Sequence, residues 1–253
     1  MAGEGTLVVE DVTVAFDGTV ALADASLEVA GGEFVSIVGP SGCGKSTLFN
    51  VVSGLVRPSS GRVVLDGVDV TGSTGHVGYM LQKDLLVPWR TVLGNIVLGA
   101  ALTRGVKPRD EEDALELATR YGLGDFVHHY PHALSGGMRQ RVALMRTLAV
   151  HREVLLLDEP FGALDSQTRL EMQRWLLEVW SELGRTILFV THDVDEAVFL
   201  ADRVVVMTPR PGKIETEIEV TIPRPRGLET LTSSEFIERK RRVLALLYGA
   251  AVG

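Results

Sequence analysis

The chain has 253 residues, a hydrophobic fraction of 45% and a formal net charge of −8. This length suits one α/β domain with an inserted lobe, and the acidic balance argues against a broad nucleic-acid-binding surface, which needs a basic face. The single cysteine, Cys43, cannot form an internal disulfide, so we expect a reducing compartment such as the cytoplasm.

Neither the beginning of the chain nor its interior has the pattern of a membrane segment. The first twenty residues carry acidic groups and no continuous apolar run, unlike a signal peptide. No stretch reaches the roughly 18 consecutive apolar residues of a spanning helix. We therefore expect any membrane association to come through a partner protein.

The first elements predict an antiparallel β region. Apolar residues alternate with polar ones along 12–16 and along 27–29, as in strands with one buried face. Residues 62–69 indicate a further strand pair, with a turn at Asp66-Gly67. Between these regions, residues 33–38 form a short apolar run that predicts a buried strand.

A glycine-rich loop, GPSGCGKS, follows this strand at residues 39–46 and precedes a predicted helix over 45–55. It satisfies the phosphate-binding pattern G-x-x-x-x-G-K-[ST] in the required strand-loop-helix setting, which favours function over a chance turn. Its backbone N-H groups and the helix N-terminus would surround phosphates. Lys45 would reach the β- and γ-phosphates, and Ser46 would bind Mg²⁺. The predicted nucleotide contacts of this phosphate loop are Gly39, Pro40, Ser41, Gly42, Cys43, Gly44, Lys45, Ser46 and Thr47, and Cys43 is also a candidate for reaction with thiol reagents.

Residues 85–149 are helical in character and predict an inserted lobe. Pro108 stands near the start of a charged segment, 109–121, in which Ala114, Leu117 and Ala118 share one face.

Three continuous apolar runs, 154–157, 187–190 and 204–207, predict parallel strands of a sheet covered on both faces. A helix over 166–183 separates the first two, and Asp193 with Glu196 predicts a capping box before the third. A tail after residue 222 ends in a basic segment, for which we expect a solvated helix face at 239–242.

An acidic pair ends the first of these strands. Asp158 falls at the carboxyl end, where ligands of open α/β sheets collect, and would hold Mg²⁺. Glu159 would polarise the attacking water as general base. An acidic pair after a strand is often only a helix cap, but the phosphate loop favours the chemical interpretation.

The segment LSGGMRQR, residues 134–141, resembles the signature LSGGQ of the ABC ATPase family, with Met138 in place of the usual Gln. The resemblance implies that Ser135, Gly136 and Gly137 touch the γ-phosphate of ATP held by the opposite subunit. A helix N-cap at Ser135 is the plainer interpretation, and both can hold together.

Further family elements follow in the expected order. Gln82 in YMLQK resembles the glutamine loop that senses Mg²⁺ and the permease; residues 163–165 resemble the D-loop; His192 in VTHD resembles the switch histidine at the γ-phosphate. Phe16 stands 23 residues before Gly39, where the family places a ring against adenine. The resemblance thus implies catalytic roles for Gln82, Glu159 and His192, Mg²⁺ ligation by Ser46, Gln82 and Asp158, and nucleotide contacts from Phe16, Ser135, Gly136, Gly137 and Asp165.

The resemblance implies an α/β fold: a P-loop NTPase (RecA-like) core with an N-terminal antiparallel β region and an inserted α-helical subdomain. One ABC ATPase domain would span 1–253, with the core at 1–84 and 151–227, the helical subdomain at 85–150 and a tail at 228–253. The segments LLVPWRTVLGNI and DEPFGALDSQTR are similar to importer subunits of the nitrate, sulfonate and taurine group, and similar local sequences also occur in related importers for other small solutes, including thiamine precursors. The implied ligands are ATP and Mg²⁺.

The implied partners are permease subunits, a second ATPase copy and, indirectly, a solute-binding protein, at the cytoplasmic face of the membrane; nucleic acid is not expected. A soluble ABC ATPase acting on ribosomes or DNA would use the same chemistry, but usually has tandem cassettes or a long coiled-coil insertion. A P-loop GTPase or small-molecule kinase would explain 39–46 and leave Gln82, 135–137 and His192 without a role.

Overall fold

The computed structural model describes residues 5–162 and 164–249, so the predicted D-loop residue Ala163 lies outside the described residues. The chain forms ten strands and eight α-helices within these ranges, together with short 3-10 turns. They are β1 (Leu7–Phe16), β2 (Thr19–Val29), β3 (Phe34–Val38), α1 (Lys45–Val52), β4 (Ser60–Leu65), β5 (Val68–Asp69), β6 (Gly78–Met80), α2 (Val92–Ile96), α3 (Leu98–Thr103), α4 (Pro108–Arg120), α5 (Gly136–Leu148), β7 (Val154–Asp158), α6 (Ser166–Leu183), β8 (Thr186–Val190), α7 (Val194–Leu200), β9 (Arg203–Met207), β10 (Ile214–Glu219) and α8 (Ser234–Tyr248).

A six-stranded sheet in the order β10-β9-β3-β8-β7-β6 forms the centre of the molecule. Its strands are parallel except β10, which pairs antiparallel with β9 at one edge. Every residue of β3, β7 and β8 is buried, which explains their continuous apolar sequences. The parallel sheet predicted from these runs is confirmed. Strand β10 was not predicted, because it has no continuous apolar run. Its Ile and Thr residues alternate with glutamates, as in an exposed edge strand.

The predicted antiparallel region is a separate four-stranded sheet in the order β2-β1-β4-β5. Asp66 and Gly67 turn the chain between β4 and β5, with φ angles of 49° and 79°. Two consecutive positive φ values are typical of a tight hairpin turn.

Two hydrophobic clusters cover the two faces of the central sheet. Alternate residues of β3 enter different clusters: Phe34 and Val38 face the helices, while Val35 and Ile37 face α1 and the antiparallel sheet. Helices α2, α4 and α5 of the helical lobe join the first cluster. The antiparallel sheet is held by the second.

Helix α1 is three residues shorter than predicted. The N-H groups of Ser53 and Gly54 close a turn on the carbonyl oxygens of Phe49 and Val51, at 2.8 and 3.0 Å, and the helix ends at Val52.

The predicted capping box of α7 is half right. Asp193 Oδ1 accepts from the N-H groups of Asp195 and Glu196, at 2.8 and 3.2 Å. The reciprocal bond is not made, because the Glu196 carboxylate accepts from Thr191 Oγ1 and Gln173 Nε2 instead. The hydroxyl of Thr191 accepts from the Asp193 N-H in its place.

The solvated helix face expected at 239–242 is also only partly right. Helix α8 buries Phe236 and Val243, and Lys240 pairs with Asp195 of α7 at 2.6 Å, so the tail is docked on the core. Arg241 and Arg242 are exposed. Among the helices of residues 5–162 and 164–249, none has the length and apolarity needed to cross a membrane.

Candidate functional site

The phosphate loop joins the buried strand β3 to helix α1, as its sequence predicts. Gly44 directly precedes the helix with a φ of 110°, and a Cβ at this position would lie 2.7 Å from Leu22 Cδ2. Lys45 Nζ donates to the carbonyl oxygens of Gly39 and Pro40, at 2.7 and 3.1 Å. The ammonium therefore ties the beginning of the loop to the beginning of the helix.

A cavity of about 360 Å³ opens over this loop. Phe16 is 45% exposed and lines it, so its ring is available at the cavity rather than in the core. Cys43 lies behind the lining and is 1% exposed; its thiol is therefore inaccessible to reagents, and the expected reactivity is wrong. The lining residues are Phe16, Ala21, Ser41, Gly42, Gly44, Lys45, Ser46, Thr47, Glu159 and Arg210.

A larger cavity of about 680 Å³ lies between α6 and residues 224–229. Its lining includes Trp180 and Arg224 but no residue of the phosphate loop or of the acidic pair. The phosphate-binding chemistry therefore belongs to the smaller cavity.

The acidic pair lies at the carboxyl end of β7, beside the phosphate loop. Asp158 is 5% exposed; burial raises its pKa, while a hydrogen bond from Ser46 lowers it. Glu159 follows with a φ of 46°, and its N-H donates to Val190 O at 2.8 Å. A regular strand would send successive side chains to opposite faces, but with this left-handed turn both carboxylates lie near Ser46.

The donor set here fits a magnesium ion. The hydroxyl oxygen of Ser46, which lines the phosphate-loop cavity, is in contact with the carboxylate of Asp158, and hard oxygen ligands of this kind suit Mg²⁺.

Three predicted residues converge on one carboxylate oxygen. Gln82 Nε2 donates to Glu159 Oε2 at 3.0 Å, and His192 Nδ1 lies 3.2 Å from the same oxygen. They follow β6, β7 and β8, which are neighbours in the sheet. Carboxyl ends of parallel strands meet at one edge, so the topology brings together residues far apart in the sequence.

Ser135 of the signature segment and Asp165 of the D-loop lie away from the phosphate-loop cavity. Ser135 Oγ accepts from the Met138 N-H at 3.3 Å and caps α5, so the substituted Met138 side chain has no part in the cap. Asp165 caps α6 by accepting from Gln167 and Thr168 N-H groups. Neither cap, nor Gly136 or Gly137, lines the phosphate-loop cavity of the same chain.

These two helix N-termini are adjacent to each other. A Cβ on Gly137 would lie 2.6 Å from Thr168 Cγ2, so α5 and α6 approach closely where they begin. The two caps therefore form one surface, separate from the phosphate-loop cavity.

Two arginines near the site, Arg210 and Arg169, were not among the predicted site residues. Arg210 lines the phosphate-loop cavity from the segment after β9. Arg169 donates to Leu164 O at 3.0 Å and to Asp193 Oδ2 at 3.3 Å. It thereby joins the chain before α6 to the residue after His192.

A buried carboxylate completes this junction. Glu196 is 4% exposed, and its Oε1 lies 3.7 Å from Arg169 Nε. Burial raises the pKa of Glu196, although hydrogen bonds from Thr191 and Gln173 and the charge of Arg169 oppose the rise.

Comparisons with known proteins show the family of this chain. Residues 22–162 match the ABC transporter family model. An uncharacterized ABC transporter ATP-binding protein of Methanocaldococcus jannaschii is 47% identical over 231 residues, 90% of this chain and 84% of that protein. The taurine import ATP-binding protein TauB of Yersinia pestis is 41% identical over 240 residues, 92% and 93% of the two chains.

Solved structures give the same answer. A dimeric ATP-binding cassette in a post-hydrolysis state, bound to ADP and Pi, superposes with a TM-score of 0.72 and 31% identity, covering 88% of this chain and 100% of that one. The cassette cbiO1 of Clostridium perfringens, part of the transporter complex cbiONQ, has a TM-score of 0.78 and 29% identity over 96% of both chains. The predicted P-loop NTPase fold is thereby confirmed. The chain therefore belongs to the ABC transporter family, as an ATP-binding subunit that hydrolyses ATP.

Proposed function

We propose that this chain drives uptake of a small solute of the nitrate, sulfonate or taurine kind, as one of two identical ATPase subunits beneath a membrane permease at the cytoplasmic face. The relative named for taurine import supports the solute class, and the neighbour from a transporter complex supports the permease. A separate solute-binding protein would deliver the solute.

The observation that carries the dimer is the division of the site. The phosphate-loop cavity lacks Ser135, Gly136 and Gly137, and the α5 and α6 caps form a surface of their own. A second copy would place that surface over the cavity, adding an N-cap hydroxyl and a helix N-terminus to the γ-phosphate. The dimeric cassette with ADP and Pi is a solved precedent.

In this proposal the chain divides as its sequence suggests. Residues 1–84 and 151–227 bind the nucleotide, 85–150 form the helical subdomain and 228–253 form a tail. The insertion of α2 to α5 between β6 and β7 supports this division.

Several residues in and beside the cavity would take part in ATP binding and hydrolysis. Phe16 would stack on adenine and the phosphate loop would hold the phosphates. Ser46 and Asp158, with the amide oxygen of Gln82, would hold Mg²⁺, which when bound neutralises phosphate charge.

Glu159 would accept a proton from the attacking water. Its Oε2 already accepts from Gln82 and lies beside His192, which fixes the orientation of the carboxylate. His192 is 60% exposed and its ring is free to contact the γ-phosphate. General base catalysis of this kind contributes about 10²- to 10⁴-fold to a rate.

The permease would bind beside Gln82. Leu85 and Trp89 are 54% and 77% exposed there, next to Arg90. Exposed large apolar side chains close together favour a protein contact. Replacing Trp89 and Arg90 by Ala should weaken permease binding and uncouple transport. The control is Tyr248→Ala, which removes an exposed ring on α8 and should change neither. Intact coupling in the double variant would disprove the proposed permease-binding surface.

The test of the function compares ATP hydrolysis and particle size for wild type and Glu159→Gln, each with and without ATP. We expect the variant to lose turnover by about 10²- to 10⁴-fold and to accumulate an ATP-bound dimer. The matched control is Glu116→Gln on the exposed face of α4, which should behave as wild type. Normal hydrolysis by Glu159→Gln without dimer formation would refute the mechanism and favour a nucleotide switch unrelated to transport.

A further inference from the structure

We infer that Arg210 binds the phosphate chain of the nucleotide as a second cation opposite Lys45. This inference rests on the proposed function, since it takes the phosphate-loop cavity as the ATP site. Arg210 lies in residues 208–213, the turn between β9 and β10, which we call the β9–β10 turn.

The sheet brings this turn to the phosphate loop. Strand β9 runs parallel beside β3, with Val206 opposite Val38, the last residue before the loop. Chains that leave two neighbouring parallel strands emerge at the same edge of the sheet. The β9–β10 turn therefore begins where the phosphate loop begins.

The turn is then fixed against both the loop and β2. Gly212 N-H donates to Ala21 O, and its carbonyl oxygen accepts from Ala23 N-H, both at 3.0 Å. A Cβ on Gly212 would lie only 1.9 Å from Cys43 O, so only a glycine allows this close approach.

Hydrogen bonds inside the turn hold its shape. Thr208 N-H donates to Lys213 O at 2.9 Å, and the Thr208 hydroxyl accepts from Lys213 N-H at 3.0 Å. Pro211 O accepts from the same hydroxyl at 3.3 Å. Arg210 therefore projects from a backbone that is held at both ends.

Within the described part of the chain, the side chain of Arg210 has no partner. It is exposed, it lines the cavity, and it makes no hydrogen bond or ion pair with any residue of 5–162 or 164–249. Lys45, the other cation of the lining, already donates to two carbonyl oxygens of its own loop. Arg210 is therefore the cation of this cavity whose donors are all available to a ligand.

The chemistry of the group points to phosphate. A guanidinium keeps its charge at neutral pH and presents N-H groups in a planar fork that matches two oxygens of a phosphate. Phe16 gives the cavity an apolar surface for the base. Phe16 would thus contact the adenine base, and Arg210 would contact the phosphates.

The experiment measures affinity by displacement of a fluorescent ATP analogue from the full chain, with ATP, ADP and adenosine as competitors. We expect Arg210→Ala to weaken ATP and ADP about tenfold, as for loss of one charge-assisted bond, and to leave adenosine unchanged. Arg210→Lys should recover part of the loss, because it keeps the charge but not the fork. The difference should shrink as salt rises.

Lys213→Ala is the matched control. Lys213 belongs to the same turn, but it pairs with Asp24 at 4.0 Å and does not line the cavity, so its loss should leave all three affinities unchanged. Thermal melting of each variant separates misfolding from lost binding.

Two results would overturn the inference. One is an unchanged ATP affinity in a folded Arg210→Ala variant, and the other is an equal loss for ATP and adenosine, which would assign the contact to the base. Failure of the proposed function is distinguishable: the wild type would then bind no ATP, or Lys45→Ala would bind it as well as wild type does.

Discussion

Arg226 offers the sharpest test of how the tail is attached to the core. It is 5% exposed, and its guanidinium donates to carbonyl oxygens in two places. Val198, Phe199 and Ala201, at the end of α7, accept at 3.1, 3.0 and 2.8 Å. The carbonyls of Val220 and Ile222, after β10, accept at 3.4 and 3.0 Å. Burial lowers the pKa of Arg226 to about 10, so the side chain stays charged at neutral pH.

Replacing Arg226 by Met keeps an apolar stem and removes every donor. The last carbonyls of a helix have no partner within the helix, and a cation there also complements the helix dipole. A buried group left unsatisfied costs about 1–3 kcal/mol. Water can hydrogen-bond to some of the freed carbonyl oxygens, which lowers the cost for those groups. We therefore expect a total loss of about 3–5 kcal/mol of unfolding free energy, a large part of the roughly 5–15 kcal/mol typical of a folded domain.

Urea unfolding followed by circular dichroism measures this loss. Arg174→Met is the matched control, since Arg174 is exposed on α6 and its replacement should cost less than about 0.5 kcal/mol. A loss below about 1 kcal/mol for Arg226→Met would refute the reasoning, because it would mean that the carbonyls find other partners at little cost.

Three further predictions test other parts of the site. Burial raises the pKa of Glu196 above 4.5, so the folded state binds the carboxyl proton more tightly than the unfolded state does. Stability is therefore lost as pH rises through the folded pKa. Melting curves from pH 4.5 to 7 should show this loss in wild type and not in Glu196→Gln, and parallel pH dependence in the two proteins would contradict the prediction. Gly212→Ala should weaken ATP binding in a titration, because its Cβ would lie 1.9 Å from Cys43 O; wild-type affinity would exclude the close approach. Arg169→Leu should lower kcat with little change in KM, since Arg169 joins Leu164 O to the residue after His192; an unchanged kcat would remove it from the active site.

The sequence predicts those parts of the site that are encoded in a few consecutive residues. The phosphate loop and the pair Asp158-Glu159 each occupy one strand end, so a short pattern defines both the chemistry and its local structure. The fully buried strands β3, β7 and β8 were predicted for the same reason, because their apolar runs are continuous.

Residues that act through distant neighbours gave no such signal. Arg210 lies at the phosphate-loop cavity because β9, which precedes its turn, is adjacent to β3 in the sheet. Arg226 belongs to no motif, and its partner Phe199 lies 27 positions earlier in the sequence. Glu196 follows Asp193 at the spacing of a capping box, yet its carboxylate accepts hydrogen bonds from Thr191 and Gln173 instead. In each case the partner is set by tertiary packing, which local spacing cannot encode.

The burial of Cys43 has a practical consequence for measuring motion. It is the one cysteine of the sequence, it is 1% exposed, and the backbone of Gly212 covers its carbonyl. The folded surface therefore offers no natural thiol to a maleimide dye or a spin label. A cysteine introduced at an exposed position such as Leu102, which is 76% exposed, would carry the label alone, and distances between two such labels in a pair of subunits could be followed without first removing a native sulfur.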